Sequence, residues 1–150
     1  MPVPNAVRYA TAAVWAILAL AVLRTILTVA FKNDLIDAWI AHRPSARELP
    51  REIAADDAPA YVGVALVGLA IAVPLVLAAI ALPRGARWSR TVAIIFAVLG
   101  LLGVAAAFLA PSLAILRIIN ILVAAAASVA IVGLLTADAN RFFAAARPVR

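Results

Sequence analysis

Cysteine is absent from the 150-residue chain, histidine occurs once, and charged residues make up only 13%. Without cysteine there is no disulfide framework, no thiolate nucleophile and no thiolate metal site. The single histidine, His42, does not make an ordinary zinc centre on its own, so neither a metal nor a cofactor is expected. No serine elbow, phosphate-cradling glycine loop or metalloprotease motif is present. The reading is that the chain is not an enzyme. Carboxylates are the scarcer charge, 7 against 13 Lys and Arg, and none falls within a long apolar run. That disfavours a proton-coupled transporter, which commonly needs a titratable acid in the membrane.

What the chain does have is apolar residues, at 67%, with a mean hydropathy of +1.12. A soluble domain is about half apolar and about a quarter charged, so this composition excludes a water-facing core and a disordered tail. Four runs are long enough to cross a hydrocarbon layer of about 30 Å, which takes about 20 helical residues: 9–31, 61–82, 91–110 and 113–136. They are continuous rather than alternating, so helices are expected, with backbone groups satisfied within each segment. The predicted fold is an all-α four-transmembrane-helix bundle forming a single domain. The first run ends in small residues at a cleavage-like spacing, Thr28-Val29-Ala30. It is longer than a signal-peptide core and reads as a retained span.

The loop at 32–60 holds six of the seven acids, Asp34, Asp37, Glu48, Glu52, Asp56 and Asp57, against Lys32, Arg43, Arg47 and Arg51. Arg8, Arg84, Arg87, Arg90, Arg141, Arg147 and Arg150 flank the other ends of the spans. Cations collect on the cytoplasmic side, so both termini are expected in the cytoplasm and the long loop outside. The basic balance therefore marks membrane orientation, and no nucleic acid partner is expected. Within the loop, Leu35, Ile36, Trp39 and Ile40 recur at helical spacing and predict a short amphipathic helix in the outer interface, or a continuation of the first span. Ser45 and Glu48 have capping-box spacing, and Asp57 is placed to cap the second span, with Pro59 in its first turn.

Two arginines stand inside predicted spans. At about 1.5 Å rise per residue, Arg24 and Arg117 lie roughly 10 Å below the same outer surface, each with a polar companion on its own face, Thr28 and Asn120. One reading has both side chains reaching up to lipid phosphates. A second has loop acids such as Asp34 or Asp37 serving as counter-ions. A third makes Arg24, Thr28, Arg117 and Asn120 a site for an anion or lipid headgroup.

On the cytoplasmic side Arg84, Arg87, Trp88 and Arg90 read as topology signals or partner contacts. Arg141, Phe142 and Phe143 read as part of a tail lying on the anionic inner leaflet, with no helix breaker before Pro148. Small residues line the spans at packing intervals: Ala65, Gly68, Ala72 and Ala79; Ala93, Ala97, Gly100, Gly103 and Ala107; Ala124, Ala127 and Ser128. They suit bundle packing or a docking face for another subunit.

From Arg87 to Arg147 the chain resembles small four-span membrane proteins of actinobacteria. Trp88-Ser89-Arg90 opens a span, a short turn holds Pro111, and the last span ends in a polar turn followed by Phe142-Phe143 and a basic tail. An actinobacterial source also suits the rich alanine and the near-exclusive use of arginine, with Lys32 the lone lysine. The resemblance implies an accessory subunit of an envelope complex, including lipid importers, and carries over no functional residues. The function expected is a non-catalytic accessory or structural subunit of a bacterial plasma-membrane complex, with a lipid-transport assembly as the specific case. Its partners would be membrane lipids and other membrane subunits. The alternative is a small oligomeric transporter or lipid-binding carrier using Arg24 and Arg117.

Overall fold

A computed structural model describes residues 2–109 and 112–145. Among these the chain is helical throughout, with no strand. Helix α1 covers Asn5–Ala30, and the first connection folds into α2 (Lys32–His42), α3 (Pro44–Arg47) and α4 (Arg51–Asp56). The second span is two helices, α5 (Tyr61–Ile71) and α6 (Val73–Ala81), followed by a tight 3-10 turn at Leu82–Arg84. Helices α7 (Arg87–Leu109), α8 (Ala114–Leu135) and α9 (Ala137–Ala145) complete the chain. Four segments are long and apolar enough to cross a membrane: α1, the stretch through α5 and α6, α7 and α8. Such a chain is consistent with a multi-pass membrane protein. Ala110 and Pro111, at the expected turn before the last span, lie outside the described residues.

The break in the second span has a local cause. Pro74 has no N–H for the helical bond to the carbonyl four residues back, and its ring crowds that turn. The backbone turns at Ala72, whose N–H bonds Leu69 O at 3.1 Å while its own carbonyl accepts from Leu75 and Val76. Gly85 closes the following turn with φ 74°, and its N–H bonds Leu82 O at 3.0 Å. Glycine alone adopts that left-handed geometry at no steric cost.

The spans pack in a ring, α1 against α8 and against α5–α6, and α7 against α6 and α8. One core joins Val7, Ala10 and Val14 of α1 to Ala79, Leu82, Ala93, Ala97, Ala127, Ala130 and Leu134. Its many alanines let backbones approach closely, which is how helices associate without a water-driven term. Gly133 shows how close: a Cβ there would stand 2.9 Å from Ala6 O and 3.1 Å from Ala10 Cβ. At the other end α1 meets α8 through Leu20 and Leu27 against Leu116 and Ile119. The pair is therefore antiparallel, and α9 returns to the end that holds the start of α1.

The first connection is not an open loop. Leu35 of α2 covers Leu116 and Ile119, and Trp39 is buried with Ala46 and Ala54. Arg43 stacks over the Trp39 ring at 4.8 Å, and Arg51 Nε donates to Asp37 at 2.9 Å, which ties α4 to α2. The expected capping groups do not cap. Arg43 is the N-cap of α3 and Ala60 of α5, neither with a side-chain bond. The prolines explain this: Pro44 takes the first position of α3, and Pro59 separates Asp57 from α5, leaving Asp57 at the end of α4.

Candidate functional site

The antiparallel register of α1 and α8 decides where the buried-span arginines stand. With Gly133 seated against Ala6 and Ala10, equal rise along the two helices brings Arg24 level with Arg117. Both side chains are exposed on the chain surface. Their companions are not: Thr28 is 6% exposed and Asn120 2%. The Thr28 hydroxyl donates back to Arg24 O at 2.8 Å, so it serves the helix backbone. Asn120 Oδ1 is buried with no hydrogen-bond partner. Arg117 Nε donates to Ser112 Oγ at 3.2 Å. The acidic first connection does not fold back onto either arginine. Among the described residues the one ion pair is Arg51–Asp37, between α4 and α2. Neither Arg24 nor Arg117 has a loop acid as counter-ion among the described residues.

The opposite end of the bundle is more built than its sequence suggests. Thr136 interrupts the helix after α8: its hydroxyl donates to Gly133 O at 2.9 Å and accepts from Ala139 N–H at 3.3 Å, capping α9. The expected continuous run toward Pro148 is thus broken, and α9 turns under the bundle. Phe143 joins the core at 2% exposure and meets Phe142 edge-to-face with ring centroids 5.3 Å apart.

Helix α7 starts at Arg87, four residues before the expected span, because Gly85 completes the turn first. The early start points the arginine toward α9. Arg87 Nε donates to Phe143 O at 3.0 Å and Nη2 to Ala144 O at 3.2 Å. Carbonyls at a helix C-terminus have no intrahelical donor, and a cation there also meets the negative end of the dipole. Arg90 lies over the Phe143 ring at 5.8 Å.

Arg87, Arg90 and Phe143, expected as partner or membrane contacts, also make contacts within the chain, Arg87 with part of its guanidinium and Arg90 through the Phe143 ring alone. Arg84, Trp88 and Arg141 remain on the surface, Trp88 at 51% exposure, and Phe142 is half-buried. Arg147 and Arg150 lie outside the described residues, as does Pro148. Thr136 and Gly133 carry structural weight that periodicity did not flag. A Thr after an apolar run, three residues before Ala139, was the available signal for the cap.

No three His, Cys, Asp or Glu side chains converge as a metal set among the described residues. No family model, curated protein or solved structure matches the chain.

Proposed function

We propose that the chain is a non-catalytic accessory or structural subunit of a larger bacterial plasma-membrane complex, in a lipid-transport assembly as the specific case. The observation that carries this reading is a set of unpartnered glycines. Gly68 on α5 and Gly100 and Gly103 on α7 have nothing within 4 Å of where a Cβ would sit. In lipid a bare helix face gains nothing over a leucine. It gains close van der Waals contact when another helix lies on it. Helix α5 packs on α1 and α6 on α7, and among the described residues these glycines make no close packing contact within the bundle. Purification in mild detergent followed by native mass spectrometry tests the reading. A larger membrane partner at fixed stoichiometry is the expected result, and a pure homo-oligomer opposes it.

A second reading rests on the arginines. Arg24 and Arg117 stand level on packed helices with no carboxylate paired to either, which suits a carrier that holds an anionic lipid or ligand between α1 and α8. The double substitution Arg24→Gln and Arg117→Gln should then abolish retention of anionic lipid. Unchanged retention disposes of the carrier.

A further inference from the structure

The fastening of α9 leaves a groove beside it, about 400 Å³ in volume, where α7 and α9 diverge. From α7 it is lined by Arg87, Arg90, Thr91, Ile94 and Ile95, and from α9 by Asn140, Phe143 and Ala144. The α7 residues recur at i, i+3, i+4, i+7 and i+8, one face of a helix. Along that face polarity changes within two turns, from guanidiniums and a hydroxyl at the helix start to bare isoleucine farther into the span.

The polar half is rich in donors and short of acceptors. Arg90 Nε is buried without a hydrogen-bond partner, and an unmatched guanidinium donor costs more than a neutral one. Arg87 spends part of its fork on Phe143 O and Ala144 O, and a guanidinium has five N–H groups. Asn140 and Thr91 add an amide and a hydroxyl. No carboxylate pairs with Arg87 or Arg90 among the described residues. The basic end of the groove is also the N-terminal, positive end of the dipole of a 23-residue helix.

We propose that this groove binds a phosphate monoester on Arg87, Arg90, Asn140 and Thr91. Forked guanidiniums match phosphate oxygens in two-point hydrogen bonds. Ile94 and Ile95 continue the site in the direction an acyl chain would take, which favours a membrane phospholipid over free phosphate as its source. The inference is independent of the subunit reading, since a subunit without a lipid site and a lipid-binding chain without partners are both coherent proteins.

The test uses the full chain in nanodiscs of phosphatidylcholine with and without phosphatidic acid, with retained lipid counted by native mass spectrometry. Phosphatidic acid should be held in preference to phosphatidylcholine. Arg90→Gln should weaken that preference roughly tenfold, the scale of one charge-assisted hydrogen bond. Arg90→Lys should recover part of it, and Arg8→Gln, outside the groove, should leave it intact. Circular dichroism of each variant establishes that the helices persist. A second arm adds inorganic phosphate to the detergent-solubilised chain. A phosphate-dependent rise in Tm that Arg90→Gln removes, without retained phospholipid, assigns the same site to free phosphate. Equal phosphatidic acid retention by the unaltered chain and Arg90→Gln, with no phosphate effect on Tm in either, overturns the proposal.

Discussion

At the scale of single residues, the glycines separate into two kinds that the sequence prints alike. Gly133 is a contact: an added methyl would collide with Ala6 O at 2.9 Å, a backbone atom that cannot rotate away. Gly133→Ala should therefore destabilise the chain by about 1–3 kcal/mol, the usual cost of overpacking. Gly68→Ala meets nothing within 4 Å and should leave the chain's own stability level or raise it by up to about 1 kcal/mol through helix propensity. Unfolding in mixed micelles of increasing SDS fraction measures both, and equal midpoints for the two variants would contradict the close α1–α8 approach. Asn120 supplies an opposite case. Its Oδ1 is buried and unpartnered, and replacing an unsatisfied buried acceptor with an apolar group of similar shape relieves about 1–3 kcal/mol. Asn120→Leu should thus raise the same midpoint. A fall would mean that Asn120 has a partner in the membrane-embedded assembly.

At the scale of elements, α9 depends on a residue from another helix. Thr136 caps its start, and Arg87 holds its last carbonyls from α7. Arg87→Ala should free α9 while leaving α1, α7 and α8 packed, because α9 touches the bundle mainly through Ala139 and Phe143. Hydrogen exchange over Ala137–Ala145 should speed up at least about tenfold, since each hydrogen bond from a charged donor is worth about 1.5–3 kcal/mol. Unaltered exchange would show that Phe143 alone holds the helix. The four spans were legible because a run of about 20 apolar residues has one solution in lipid. The kink at Ala72 was not read from the run 61–82, although Pro74 carries its signal. The docking of α9 was not legible, because it rests on contacts more than fifty residues apart in sequence. The sequence pattern marks Phe142-Phe143 only as apolar residues next to cations, which suits a membrane surface as well as a core. For the same reason the level placement of Arg24 and Arg117 follows from span lengths, whereas the lack of an ion-paired carboxylate on them among the described residues depends on tertiary placement.

At the scale of the whole molecule, the unused apolar faces and the charge asymmetry call for different experiments. Orientation is read from single cysteines, which the natural absence of cysteine makes clean. Ser89 is unsuitable as a reporter, since it is fully buried and its hydroxyl donates to Ala86 O at 2.6 Å. Ser45 and Ala145 are exposed at opposite ends of the bundle. If the basic end faces the cytoplasm, a membrane-impermeant maleimide should label Ser45→Cys in intact cells and Ala145→Cys only after lysis. The reverse pattern would invert the orientation. Assembly is read from the open glycines. Gly100→Ile and Gly103→Ile fill space that the chain itself leaves empty, so each should keep the chain's abundance and Tm while removing close approach by another helix. If those faces seat a partner, co-purified partner per chain should fall at least severalfold in both variants and stay level in Val64→Leu, a swap on an exposed face that is already bulky. If partner yield is unchanged in both glycine variants, the open glycines face lipid, and the subunit reading loses the observation on which it stands.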